Sequence, residues 1–340
     1  MTTDTEADLG SSADAQLVRI DAIRAAARLL DGVATRTPLV PFGRPEARTW
    51  LKAESLQPIG AFKIRGAYVA IAALSEAQRR RGVITYSSGN HAQGVARAAT
   101  LLGARAVIVM PSDAPAIKAA RVAADGAQII RVGPSSAERQ HVAEQLAAER
   151  GLAIIPPFDD DAVIAGQGTV GLEIVEALPD VAAVLVPIGG GGLASGVAAA
   201  VGALRPEARV IGVEPELAAD ARDSLAAGRI VAWPAELVGR TIADGTRAGR
   251  LGERTFAHLR ALLDSIVTVS EAEIRAAVRL VAEESRLVAE PSGALAPAAL
   301  WFRAAEIGLD ANEGPVVAVV SGGNVDPERY LELLAAPLPG

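Results

Sequence analysis

VPIGGGGLASG, Val186 to Gly196, is the stretch on which the fold turns. It ends an uncharged apolar run, AAVLVPIG, breaks at four successive glycines, Gly189 to Gly192, and continues in small residues suited to a helix. Val181 to Leu204 carries no charge and is long enough to raise the question of a membrane span. Pro187 and the glycines interrupt it, so a buried strand, a tight turn and a helix are expected instead.

The same grammar extends outward. GVITYS precedes NHAQGVARAATLL, RAVIVMP precedes PAIKAARVAAD, AQIIRV precedes SSAERQHVAEQLAAER, and LAIIPP closes the series. Beyond the glycines come ARVIGVE, SIVTVS and PVVAVVSGG, each beside a helical or glycine-rich segment. Apolar β-branched runs alternating with helices of crossover length imply a doubly wound α/β fold, its parallel strands covered on both faces.

With 340 residues, 50% of them hydrophobic, the chain can build one large domain or two coupled ones. A net charge of -7 leaves no basic field for nucleic acid, and the run Arg79 to Arg81 reads as a helix C-terminus. The lack of cysteine excludes disulfides, thiolate metal sites and a cysteine nucleophile, and fits a cytoplasmic location. Residues 1–15 are acidic and polar, which reads as a tail and not as a secretory signal. No membrane association is expected.

Four adjacent glycines cost backbone entropy, so a reason for them is required. A plain tight turn is one; the other is that bare N–H groups converge at a helix N-terminus, where a phosphate is stabilised. Neither the P-loop nor the dinucleotide fingerprint matches the spacing. In SLQPIGAFKIRGAY, Ser55 to Tyr68, Lys63 lies just inside a helix start between Phe62 and Ile64. It reads either as a surface lysine with a snorkelling stem or as a desolvated amine, nucleophilic toward an aldehyde. Spacing leaves both open. SSGNHAQG, from Ser87, and SGGNVD, from Ser321, place further polar loops at strand ends, where an open parallel sheet binds its ligand.

From about Thr37 to Asp326 these segments together resemble the fold type II pyridoxal-phosphate enzymes, within the group of threonine/serine dehydratases, serine racemases and threo-3-hydroxyaspartate ammonia-lyases. The resemblance implies that Lys63 carries pyridoxal 5′-phosphate as a Schiff base, with Ala61 replacing the usual serine of the motif. It places the phosphate on Gly189, Gly190, Gly191, Gly192 and Leu193, the phenolic oxygen on Asn90, the ring nitrogen on Ser321 and the ring face on Phe62, with Glu290 nearby. It assigns the substrate to Ser87, Ser88, Gly89, Asn90 and His91. Ser88 would serve as acid or base on the face opposite Lys63, and Arg139 would reach a second substrate carboxylate. Glu214, Ala218 and Asp220 match a divalent-cation site, and their oxygens suit Mg²⁺ or Ca²⁺. His141 and His258 are read as solvated.

The implied activity is elimination from an L-hydroxy amino acid, threonine or serine, to a 2-oxo acid and ammonia. Serine racemase and threo-3-hydroxyaspartate ammonia-lyase are the alternatives. Phe158 matches the threonine dehydratases and Ser88 the racemases and hydroxyaspartate lyases. A non-catalytic cofactor or amino-acid sensor is the reading from another class, and Lys63 beside the full loop set argues against it. A larger domain of residues 16–81 and 160–340, a smaller one of 82–159 that closes over the substrate, and a homodimer are also implied. No C-terminal regulatory domain is expected after Asp326.

Overall fold

The computed structural model describes residues 17–43, 48–87, 89–112, 114, 116–133, 136–309, 314–335 and 337–339. The expected tail, residues 1–15, lies outside them. Among the described residues the strands are β1 (Leu39–Pro41), β2 (Thr49–Ala53), β3 (Val83–Thr85), β4 (Ala106–Pro111), β5 (Gln128–Val132), β6 (Ala153–Ile154), β7 (Ala183–Pro187), β8 (Arg209–Pro215), β9 (Ser265–Val269) and β10 (Val316–Val320). They form a six-stranded sheet ordered β1-β2-β10-β7-β8-β9 and a four-stranded sheet ordered β5-β4-β3-β6. Every pairing is parallel except β1 with β2.

The alternation of side chains along a strand explains why the central runs are largely apolar, since both of their faces are covered. On one face of the large sheet Val316, Ala318 and Val320 join the helices Glu271–Leu280 and Leu295–Phe302. On the other, Val317 and Val319 meet the helices Asp161–Ala177, Gly192–Leu204 and Glu253–Leu262. In the small sheet Ile108 and Met110 face the helices Lys63–Ala73 and Asn90–Leu101, while Val107 and Val109 face the opposite side with Ala143. The helix Lys63–Ala73 therefore buries Ile64, Ala67 and Ile71 in the small sheet's core, each large side chain contributing roughly 1.5–3 kcal/mol.

Val181 to Leu204 resolves into β7, a glycine turn and the helix Gly192–Leu204. Among the described residues no helix is long and apolar enough to cross a membrane. The arginines 79–81 fill the last turn of the helix Glu76–Arg81, which Ser75 and Gln78 close at its start by a reciprocal capping box.

Candidate active site

Lys63 opens its helix immediately after the chain leaves the end of β10's neighbourhood. Ala61 bridges to Gly322, and the Phe62 N–H donates to the Ser321 carbonyl at 3.1 Å. Two other helices approach the first turn closely. A Cβ on Gly94 would lie 3.1 Å from the Lys63 carbonyl carbon, a crowded contact, and one on Gly166 would lie 2.7 Å from the Gly66 Cα, an approach that glycine permits and a side chain does not.

The lysine side chain points into a cleft of about 580 Å³ between the two sheets. Its Nζ donates to the Pro157 carbonyl at 2.7 Å and lies 5.0 Å from the centre of the Phe62 ring. Burial lowers its pKa to about 8. Of the two readings of this lysine, the desolvated amine describes its surroundings.

The cleft brings together Phe62, Lys63, Asn90, the loop Gly189 to Leu193, Glu290 and Ser321, with Ser87, Gly89, His91 and Arg139 also on its wall. Ser88 lies outside the described residues. In the loop Gly191 adopts φ +92°, and a Cβ on Gly190 would fall 2.1 Å from the Phe158 ring. The loop is thus a backbone surface that no side chain could share.

Asn90 is oriented from both ends of its amide. Its Nδ2 donates to Glu290 Oε1 at 2.6 Å, while its Oδ1 accepts from Asn324 Nδ2 at 2.9 Å. Asn324 in turn donates to the Ile59 carbonyl and accepts from Arg121. Burial, reinforced by Asp244, raises the Glu290 pKa to about 7, and the Asn90 hydrogen bond only partly opposes this. His91 is buried with Nε2 donating to the Ile155 carbonyl at 2.9 Å. Its pKa falls to about 3 through burial and the nearby Lys63 charge, so it is a neutral imidazole. Ser321 makes one long bond, 3.5 Å, to the Ser292 carbonyl, which leaves its hydroxyl largely available.

A lysine amine, a side-chain-free loop at a helix start, an oriented amide and a buried hydroxyl in one cleft fit pyridoxal 5′-phosphate. These groups would hold its aldehyde carbon, phosphate, phenolic oxygen and ring nitrogen respectively.

The expected cation ligands lie elsewhere. Glu214 and Asp220 do not line the cleft and are each 1% exposed, so they are not on a solvated turn. Glu214 accepts the backbone N–H groups of Ala221 and Arg222, and its pKa is raised by burial and by Asp220. The Asp220 Oδ2 is buried without a hydrogen-bond partner. Two buried carboxylates with an orphaned oxygen fit a hard cation; among the described residues no third acidic or histidine side chain converges on them.

Sequence reading treated His258 as solvated, and the structure corrects this. His258 is fully buried, accepting from the Val18 N–H at 2.8 Å and holding the Arg254 carbonyl at 2.7 Å through Nδ1. It ties residue 18 to the helix Glu253–Leu262.

A buried four-charge cluster behind the Lys63 helix escaped sequence reading altogether. Arg65 grips Glu54 through Nε and Nη2, both at 2.8 Å, and Glu173 through Nη1 at 2.6 Å. Lys52 completes it, 2.5 Å from Glu173 and 2.6 Å from the Thr37 carbonyl. Two cations and two anions leave it neutral, which is the condition under which such a cluster survives burial. Burial lowers the Lys52 pKa despite Glu173 and Glu54, whereas Arg65 and Lys52 outweigh burial and hold Glu54 below the usual carboxylate value. No local pattern joins residues 52, 54, 65 and 173. Asn324 was more accessible, since it follows the two glycines after β10 in SGGNVD.

Known proteins resemble this chain in sequence and in fold. The chain is 44% identical over 290 residues to an L-threo-3-hydroxyaspartate ammonia-lyase of Saccharomyces cerevisiae, a match covering 85% of this chain and 86% of the relative. An L-threonine ammonia-lyase of Thermotoga maritima is 43% identical over 316 residues, 91% of this chain and 76% of the relative. The solved structure of maize serine racemase superposes with a TM-score of 0.88 at 39% identity, covering 93% of this chain and 97% of that one. The family model described as pyridoxal-phosphate dependent enzyme matches residues 30–322, and the chain belongs to that family.

Proposed function

We propose that this protein is a pyridoxal 5′-phosphate-dependent ammonia-lyase that converts L-threonine or L-serine to a 2-oxo acid and ammonia. The observation that carries the reading is the half-buried Lys63 amine facing the same cleft as the bare glycine loop and Ser321. Similarity to relatives named as ammonia-lyases supports it.

When bound, the cofactor supplies an electron sink for the substrate α-carbon. Lys63 would hold its aldehyde carbon and, once exchanged for the substrate amine, would take the α-proton on its own face. A pKa near 8 keeps part of that amine neutral around neutral pH. The glycine-loop N–H groups would bind the phosphate and Asn90, fixed by Glu290 and Asn324, the phenolic oxygen. Ser321 would offer the ring nitrogen a neutral hydroxyl in place of a carboxylate, which would make the bound cofactor a moderate electron sink suited to elimination. Residues 82–159, which hold β3 to β6, are the smaller unit that closes over the substrate, with the helix Lys63–Ala73 as the wall it shares with the rest.

Glu214, Asp220 and the Ala218 carbonyl would hold Mg²⁺ or Ca²⁺ as a structural ion, and a cytoplasmic homodimer is the working form. A second reading, elimination from L-threo-3-hydroxyaspartate, is favoured by Arg139 on the cleft wall, a cation suited to a second carboxylate. Parallel assays of 2-oxo acid release from L-threonine, L-serine and L-threo-3-hydroxyaspartate, with chiral analysis of remaining serine, separate these readings. Ser88→Ala in the same assay tests the opposite-face acid: racemisation should fall far more than elimination, and an unchanged ratio removes Ser88 from that role.

A further inference from the structure

Of three consecutive residues between β6 and the helix Asp161–Ala177, Pro157 and Phe158 line the cleft and Asp159 reaches a helix start behind its glycine loop. The Pro157 carbonyl holds the Lys63 amine. The Phe158 ring fills the space beside Gly190 where a side chain would stand. Asp159 caps a helix that is remote in sequence: its carboxylate accepts the N–H groups of Glu253 at 3.1 Å, Arg254 at 2.8 Å and Thr255 at 3.2 Å. These N–H groups belong to the first turn of the helix Glu253–Leu262, which has no intrahelical acceptor for them, and an anion there is stabilised by the helix dipole as well.

That helix start in turn holds the glycine loop. Thr255 is fully buried, accepts the Gly252 N–H at 2.9 Å and donates its hydroxyl to the Gly190 carbonyl at 2.7 Å. A trans peptide is planar, so a Gly190 carbonyl drawn toward Thr255 sends the Gly191 N–H in the opposite direction. Among the described residues no protein acceptor meets the Gly190 or Gly191 N–H. Were the peptide to turn over, a carbonyl oxygen would replace an N–H on the surface that a phosphate must approach.

We propose that Thr255 and Asp159 are positioning residues for the phosphate cradle: Asp159 fixes the start of the helix Glu253–Leu262, and Thr255 uses that fixed start to hold the Gly190–Gly191 peptide with its N–H toward the cleft. The inference rests on the reading of Gly189 to Gly192 as a phosphate site. It adds that the linker leaving the small sheet sets the cradle and holds the lysine amine at once, through neighbouring residues 157 and 159.

The test compares pyridoxal 5′-phosphate with pyridoxal, which lacks only the phosphate, by equilibrium binding to the apoprotein of each variant. In Thr255→Val, which keeps the side-chain shape, affinity for pyridoxal 5′-phosphate should fall about tenfold, the worth of one buried hydrogen bond, while affinity for pyridoxal changes less than about twofold. Thr255→Ser, which keeps the hydroxyl, should restore most of the loss. Asp159→Asn should move the ratio in the same direction, and the double variant should lose less than the sum of the two. Equal losses for both ligands, or losses that track melting temperature in place of the phosphate, overturn the proposal. If Thr255→Val does not fold, Asp159→Asn decides by the same ratio. A parent protein that binds both ligands equally would instead refute the phosphate reading of the loop itself.

Discussion

Glu290 Oε1 stands 2.6 Å from Asn90 Nδ2, so a carboxyl whose pKa burial pushes up to about 7 holds the amide proposed above for the cofactor's phenolic oxygen. A carboxyl whose folded pKa lies above its unfolded value stabilises the fold fully below the unfolded pKa, and that contribution is lost as pH rises through the folded one. Glu290→Gln should therefore raise apoprotein stability above pH 7 by about 3 kcal/mol at most, and the gain should vanish near pH 4.5. Denaturant midpoints of both proteins across that window provide the check.

Lys63→Ala should abolish turnover and the visible absorption of the lysine-bound cofactor; a retained band would place the cofactor on another amine. The apoprotein gives an independent readout. Burial depresses the Lys63 pKa to about 8 from 10.5, so the folded chain binds fewer protons than the unfolded one between those values, and stability climbs with pH across them. Lys63→Met should be the more stable apoprotein at pH 7, by on the order of 1–3 kcal/mol given the partial exposure of the side chain, and should lose that advantage by about pH 10.5.

Breaking the buried charge cluster should cost far more than a surface ion pair. Glu54→Ala leaves Arg65 facing a vacated site with Glu173 as its remaining anion, and unfolding free energy in urea should drop by about 3–5 kcal/mol. Arg80→Ala, which removes an exposed pair with Glu76, should change it by less than about 1 kcal/mol.

Adding Mg²⁺ or Ca²⁺ to metal-stripped protein should raise its melting temperature, because a ligand that binds only the native state stabilises it. Glu214→Ala should abolish the shift. If that variant responds to the cation as the parent does, the ion sits somewhere else.

The central strands were legible because they are buried on both faces and so are largely apolar, as VVAVV over β10 and VIGV within β8 illustrate. β1 and β2 were not, since Leu39–Pro41 is a three-residue edge with no pattern long enough to read and Thr49–Ala53 is interrupted by the buried Lys52. Within the site, loops carrying their chemistry in a few adjacent residues, Gly189 to Gly192 and the Lys63 motif, could be recognised. Contacts made across long separations could not. Thr255 reaches Gly190 from 65 residues away, and Arg65 reaches Glu173 from 108. A lone buried threonine or an arginine in a helix announces neither its depth nor its partner. His258 failed for the same reason, its burial depending on the backbone of Val18, 240 residues away.

The position of β10 between β2 and β7 has a consequence for biosynthesis. A ribosome delivers the chain from its N-terminus, and all four strands of the small sheet, β3 to β6, are present once residue 154 has emerged. The large sheet must wait for Val316–Val320, because β2 and β7 have no direct pairing and meet only through that last strand. During the interval, two apolar strand edges at the centre of the future sheet stay open, the condition that invites association with other nascent chains. Translation stalled before Val316 would therefore release a polypeptide with one completed sheet and one split sheet, a natural client for chaperones that shield strand edges.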